Sequence, residues 1–329
     1  MGGNAEYESR AIENNVFKLN VQYKRDIHRE NDLNEPVQSY IDNTLSIGIE
    51  NTYQITPALA FIPGASFNMR NSDKAEEYNT TTKEITNFAD SKNNAFNLQA
   101  GLFWDINTNH SLKGSVARKT RFATIKDRYS YRMGQAIPNP DLHAETAVNL
   151  DLSYTGKIAQ RLGLQASIFN SAINDIIQQV DNVQPNRFQL QNAGKARFYG
   201  AEAGLDYALA NGFKIGSNYS FIKRKNISNP NILFTNVPEH KVFAYADYTF
   251  LRRANVLVSY EHNSDRYSTS YGTQAKAYSL VNAKASVKLY KGISAEAGIN
   301  NIFDKNYSLV EGFPEAGRNF FVNLVFSHF

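Results

Sequence analysis

Tyr129, Tyr131 and Arg132 stand within four residues of one another. Two phenols and a guanidinium so close can grip an anionic aromatic chelate through cation–π contacts and charge-assisted hydrogen bonds. They can equally pack a loop against its neighbours or meet phosphate groups. Lys223, Arg224 and Lys225 form a second cationic group suited to phosphate. Asp26, Glu30, Asp32 and Glu35 gather four carboxylates in one polar stretch, without the spacing or the glycine of an EF-hand, so a solvated loop is the plainer reading than a calcium site. His28, His110, His143, His240, His262 and His328 are scattered with no pair at i, i+4, which leaves no zinc motif. A Gly-rich phosphate loop, paired carboxylates in an apolar frame and a convincing Ser–His pair are all missing. No catalytic residue, metal or cofactor is therefore expected, and the chemistry on offer is binding.

The elements that must hold these residues are strands. The 329 residues are 42% hydrophobic and 12% aromatic, with 21 Phe, 19 Tyr and a single Trp. Mean hydropathy is −0.46. Uncharged stretches such as 162–174 fall short of the roughly 18 residues a helix needs to cross a bilayer. Period-two alternation instead recurs along the chain. Phe17, Leu19, Val21 and Tyr23 alternate with Lys18, Asn20, Gln22 and Lys24, and Val148, Leu150, Leu152 and Tyr154 alternate with Asn149, Asp151 and Ser153. Each run is about as long as the 9 to 11 residues of a tilted membrane strand.

Fourteen such segments begin near residues 15, 40, 57, 94, 110, 145, 161, 188, 212, 239, 254, 277, 293 and 318, after an irregular lead-in over 1–14. Their connections alternate between tight turns, as at 54–57, 107–109, 156–158, 210–212, 251–253 and 290–292, and long polar loops, as at 26–38, 71–92, 124–142, 177–187, 224–237, 263–275 and 306–316. Short turns at one end and long loops at the other are the pattern of an outer-membrane barrel, and a sheet this long with no helix to cover it must close. The fold class expected is all-β, a transmembrane antiparallel β-barrel forming a single domain over 1–329. Tyr53, Trp104, Tyr154, Tyr207, Tyr248 and Tyr260 would belong to its interfacial girdles. With no cysteine, the chain is compatible with an oxidising compartment. Its charge of +4 is spread along the whole length, which argues against a nucleic-acid partner. Residues 1–6 carry no signal-peptide pattern.

Three stretches resemble the barrel of TonB-dependent outer-membrane receptors. Asn301, Phe303, Asp304 and Tyr307, followed by Gly312-Phe313-Pro314 and then Gly317-Arg318, are similar to that family's ending before the last strand. Arg121-Phe122-Ala123-Thr124 leads to Asn139, Pro140, Asp141, Leu142 and Glu145 in a second match, in which Ala123 and Ala144 replace usual prolines and His143 a usual lysine. Asn192-Ala193-Gly194 with Gly200 and Glu202 is the third. These residues are expected to be structural. Phe326 and the terminal Phe329 resemble the signal read by the barrel-assembly machinery, although Phe329 lies one residue off the row of Phe320, Val322, Leu324 and Phe326.

The resemblance implies a barrel of about 22 strands with a plugged lumen, of which this chain supplies about fourteen and no plug domain. It further implies uptake of a small-molecule chelate such as a ferric siderophore, haem or cobalamin, energised by the TonB complex through the missing plug. Outer-membrane lipid and lipopolysaccharide would surround the wall. A passive 14-stranded channel and, further off, a membrane-embedded hydrolase are the alternatives.

Overall fold

The computed structural model describes every residue except Asp32, Ala193, Asn211, Leu251, His328 and Phe329. Fifteen strands pair consecutively and antiparallel in one sheet, and a sixteenth, Glu84–Asn87, is appended to the outer end of Leu59–Asn79. In chain order the wall begins Gly2–Ser9, Asn15–Glu30, Gln38–Thr56, Leu59–Asn79, Lys92–Asn107, His110–Arg121 and Glu145–Ile158. It continues Leu162–Asn174, Lys195–Ala210, Phe213–Asn226, His240–Phe250, Ala254–Asn263, Tyr278–Tyr290, Ile293–Asn300 and Asn319–Phe326. Thirteen of the fourteen expected strands are present in the wall where the sequence places them. Gly2–Ser9 corrects the reading of 1–14 as an irregular lead-in, because it pairs with Phe17–Lys24 over its whole length. The expected eighth start near 188 is also corrected: Arg187–Asn192 belongs to a separate loop sheet, and the wall resumes at Lys195.

The alternation of loops holds throughout. Connections at 10–14, 57–58, 108–109, 159–161, 211–212, 251–253 and 291–292 are tight, and those between them run from seven residues at 31–37 to 23 at 122–144. Polar residues beyond the lipid remain in strand, so Leu59–Asn79 and Asn15–Glu30 take up much of what the sequence presented as loops 71–92 and 26–38. One five-residue helix, Ile125–Tyr129, is the only one among the described residues, and none is long and apolar enough to cross a membrane.

The register separates the two faces. Leu150 and Leu152 pair with Asn170 and Ile168, on the same face as Val116. Leu150, Ile168 and Leu98 expose 50%, 58% and 48% of their surface. Exposure on that scale along a continuous apolar band is stable only against lipid. The opposite face carries Lys18, Asn20, Gln99, Lys113, Asp151 and Gln165, a polar lumen. Tyr53, Trp104 and Tyr248 lie on the lipid face near the short turns, whereas Tyr260 lies nearer the long loops.

Candidate ligand-binding site

The 122–144 connection folds back onto the inner face of the wall. Its helix starts at a capping box, with Thr124 Oγ1 accepting from the Asp127 N–H at 3.2 Å and Asp127 accepting from the Thr124 N–H at 3.0 Å. This turn drives Arg128 and Tyr129 into the barrel, where both are fully buried. Tyr129 stacks between Tyr40 and Phe88, with ring centroids 5.6 and 5.2 Å away. Arg128 donates to Asp42 and, at 2.8 Å, to the Tyr129 hydroxyl. Arg70 lies 3.7 Å from the same Asp42 carboxylate and donates to the Ala123 carbonyl. Two guanidinium groups therefore share one buried carboxylate, an arrangement that clamps the loop to the strands Gln38–Thr56 and Leu59–Asn79.

The residues chosen from sequence as ligand contacts fall within or beside this clamp. Tyr129 is wholly enclosed by the packing just described. Tyr131 donates to Glu77 at 2.6 Å, and burial together with that carboxylate pushes its phenol well above the usual tyrosine range. Arg132 lies over the Phe188 ring at 5.5 Å. The first and third of these contacts join the loop to the wall and to the 175–194 loop.

The family-like motifs are ties of the same kind. Arg121 and Glu145 form a two-pronged ion pair at 2.6 and 3.2 Å across the mouths of their strands, and Glu145 also accepts from the Ile177 N–H. Asn139 donates to Leu190 O at 2.8 Å, Leu142 is buried, Pro140 bends the loop between them, and Asp141 faces solvent. Asn192 bonds both the amide and the carbonyl of His143 and the carbonyl of Asp175. Near the end of the chain, Asn301 is 3% exposed and accepts from the Lys305 N–H at 2.8 Å while donating to Lys305 O at 2.9 Å. Asp304 accepts from the Arg318 N–H at 2.7 Å, and a side chain at Gly317 would put its Cβ 2.6 Å from the Asp304 carboxylate. Arg318 reaches Ile302 O, Tyr307 packs against Tyr278 with ring centroids 4.5 Å apart and planes tilted by 42°, and Phe303 is exposed. Glu202 and Gly200 face the lumen. Phe326 ends the last strand on the lipid-facing row, and Phe329 lies outside the described residues.

Other bonds join the long loops into a roof. Phe188 donates from its amide to Gln135 O, Leu233 to Ser270 O, Asn236 to Tyr267 O, and Glu311 to Ser268 Oγ. Between the 227–239 and 264–277 loops lies a cavity of about 660 Å³, within the range of small-molecule sites. Arg224, Phe234, Val237, Arg266 and Tyr267 line it. Arg224 donates to Phe234 O, Thr235 O and Val237 O and so shapes one wall. Arg266 is 8% exposed, lies over the Tyr278 ring at 5.3 Å, and its Nε and Nη2 have no hydrogen-bond partner. The two carboxylates of the lining are already engaged, Glu239 by Lys223 and Asp265 by the Ala277 amide. What remains is a cationic pocket with aromatic and apolar sides, suited to an anion with a flat or greasy body.

This pocket escaped the sequence reading. Arg224 was grouped there with Lys223 and Lys225, but strand alternation turns it inward with Phe198 and leaves the two lysines on the outer face with Tyr199 and Arg197. The acidic group 26–35 does not assemble. Asp26 pairs with Lys24, Glu30 approaches His28, Glu35 accepts from Gln38, and Asp32 lies outside the described residues. Among the described residues no group of three His, Cys, Asp or Glu could hold a metal.

Residues 5–302 match the family model of the TonB dependent receptor-like β-barrel. The chain belongs to that family. The TonB-dependent receptors are transport receptors of the outer membrane. The ferric enterobactin receptor of Pseudomonas aeruginosa is 22% identical over 92% of this chain and 51% of its own. The iron-regulated outer membrane virulence protein of Vibrio cholerae is 22% identical over 67% of this chain and 38% of its own. The chain thus spans about half or less of the curated relatives it matches. Among solved structures, the copper transporter OprC superposes with a TM-score of 0.84 at 16% identity, covering 99% of this chain and 56% of that one. The FrpB iron transporter of Neisseria meningitidis gives 0.76 at 15% identity, with 99% and 54% covered. These likenesses establish the receptor-barrel fold and an outer-membrane location.

Proposed function

We propose that the chain forms the wall and the ligand-receiving roof of a receptor that takes up a ferric siderophore or a related anionic chelate. The observation that carries the reading is the cavity between the 227–239 and 264–277 loops, where Arg266 presents unpartnered N–H groups beside aromatic rings. The names of the curated relatives point to iron in the same direction. The loops would capture the ligand, and the polar lumen below would pass it inward once a plug, energised through the TonB complex, rearranged. The role of the wall in that cycle is to be rigid and to hold the roof. His262 Nδ1 lies 2.9 Å from Ser279 Oγ on the outer face near the long loops, and the family to which the chain belongs is one of transport receptors.

In iron-starved cells carrying the full-length gene product, deletion is expected to abolish uptake of at least one radiolabelled ferric chelate, and plasmid-borne wild type to restore it. Unchanged uptake across catecholate, hydroxamate, haem and cobalamin probes would overturn the reading.

A further inference from the structure

The cavity between the 227–239 and 264–277 loops has an apolar side as marked as its charge. The 226–237 stretch is mostly Asn, Ser and Thr, yet Ile232-Leu233-Phe234 interrupts it, and Ile222, Ile232, Leu233 and Val237 all line the cavity. Ile222, Ile232 and Leu233 are half-buried, and Val237 is 40% exposed. The Phe234 ring is already engaged, by Phe198 edge to face at 5.0 Å and by the Arg224 guanidinium at 5.7 Å. A flat aromatic ligand finds that ring taken, whereas the aliphatic side chains are open to contact.

The cavity is also lined from both faces of the wall. The ladder between Phe213–Asn226 and His240–Phe250 ends where Phe221 meets His240, and among the described residues 223–226 pair with no wall strand on that side. Ile222 and Arg224 line the cavity from the inner face, Lys223 and His240 from the outer. The cationic end is the inner one, with Arg224 and, over the inward Tyr278 ring, Arg266. A space that runs from inner-face arginines past aliphatic side chains to the outer face suits an elongated ligand with an anionic head. Burying an aliphatic chain there strengthens binding about fourfold for each methylene removed from water.

We propose that this site takes an amphiphilic chelate, an anionic iron-binding head that carries an aliphatic chain. The head meets Arg224 and Arg266, and the chain lies along Ile222, Ile232 and Val237 toward the outer face. The proposal rests on the uptake reading above and names the class of its ligand.

The test measures equilibrium binding to outer membranes bearing the full-length receptor, with binding to the same membranes lacking it subtracted. The probes are the ferric complexes of a citrate dihydroxamate and of a catecholate chelator, each with and without a dodecanoyl chain. For at least one head, the acylated form is expected to bind at least about tenfold more tightly than the bare form, which two buried methylenes already supply. Ile232→Thr/Val237→Thr keeps the β-branched shapes while replacing methyl groups by hydroxyls. It should weaken the acylated form about tenfold and leave the bare head within about twofold of wild type. The apolar swap Ile232→Val/Val237→Ile should bind the acylated form as wild type does, and heat-modifiable migration reports folding for every variant. Equal saturable binding of acylated and bare forms would overturn this inference and leave the uptake reading standing. So would an unchanged acyl preference in the folded threonine variant, or equal competition by a dodecanoyl detergent without a chelating head. Saturable binding by none of the probes would overturn this inference together with the reading on which it rests.

Discussion

Asp42→Asn is expected to release the 122–144 loop from the barrel wall. The carboxylate it removes is the single anion between Arg70 and Arg128, which are 4% and 0% exposed. Deleting one partner of a buried ion pair costs about 3–5 kcal/mol, because the charge left behind cannot regain its hydration. Here two guanidinium groups would be left. A docked loop answers such a cost by opening rather than by unfolding the sheet, whose strand ladders do not involve Asp42's side chain. Trypsin added to intact cells should then cut at Lys126, Arg128 or Arg132, while wild type resists. Arg128→Met should be milder, since it leaves Arg70 and Asp42 as a one-to-one pair. If Asp42→Asn resists trypsin as well as wild type does, the clamp does not hold the loop.

Gly200→Val should prevent the barrel from assembling. Gly200 pairs with Phe169 on one side and Ile222 on the other, facing the lumen. A Cβ at that position would overlap the Phe221 carbonyl of the adjacent strand and lie 2.7 Å from Phe169 Cζ. The ring can swing aside, but the backbone carbonyl cannot move without breaking the ladder between Lys195–Ala210 and Phe213–Asn226. The penalty should reach or exceed about 3 kcal/mol, the upper part of the range for overpacking. Gly204→Ala is the control. Its new Cβ would lie 2.9 Å from the side-chain oxygen of Asn218, which can rotate away, and in ordinary contact with Gln165 Cβ at 3.7 Å. Heat-modifiable migration of membrane-extracted protein should show folded Gly204→Ala and no folded Gly200→Val. Normal folding of both would mean that the close approach at Gly200 is not required.

The wall was legible because a lipid-exposed strand has only one way to solve its problem, apolar outward and polar inward at every second residue. That rule located thirteen of the fourteen strands of the central and C-terminal wall. It failed at Gly2–Ser9, where Gly-Gly-Asn-Ala-Glu-Tyr-Glu-Ser offers almost no apolar face and pairing with Phe17–Lys24 alone makes the strand. It misled at Phe188 to Leu190, where alternation serves a small loop sheet with Ile177–Gln184 and Ala136–Ile137. Of the motif residues, Asn139, Glu145, Asn301 and Asp304 each make a bond that ties a loop.

The cavity proposed to hold the ligand was not legible. Arg224 and Arg266 come from different strands and loops, and bonds such as those from Leu233 and Asn236 to the 264–277 loop bring them to one cavity. Half of the signal was nonetheless available. The parity that puts Tyr219 and Phe221 outward also puts Lys223 and Lys225 outward, and so turns Arg224 in. The contacts of Tyr129 had no comparable signal, because a stack with Tyr40 and Phe88 depends on how a 23-residue connection folds back.

The most direct test of the account is equilibrium binding of ferric chelates to outer membranes bearing the full-length receptor, comparing wild type with Arg224→Ala/Arg266→Ala. Saturable binding of an anionic chelate is expected in wild type. The double variant should bind it about 100-fold more weakly, as the loss of two charge-assisted contacts implies, with its folding intact by heat-modifiable migration. Wild-type affinity in the folded double variant would contradict the account, because the cavity beneath the 227–239 and 264–277 loops would then not be where the ligand is held.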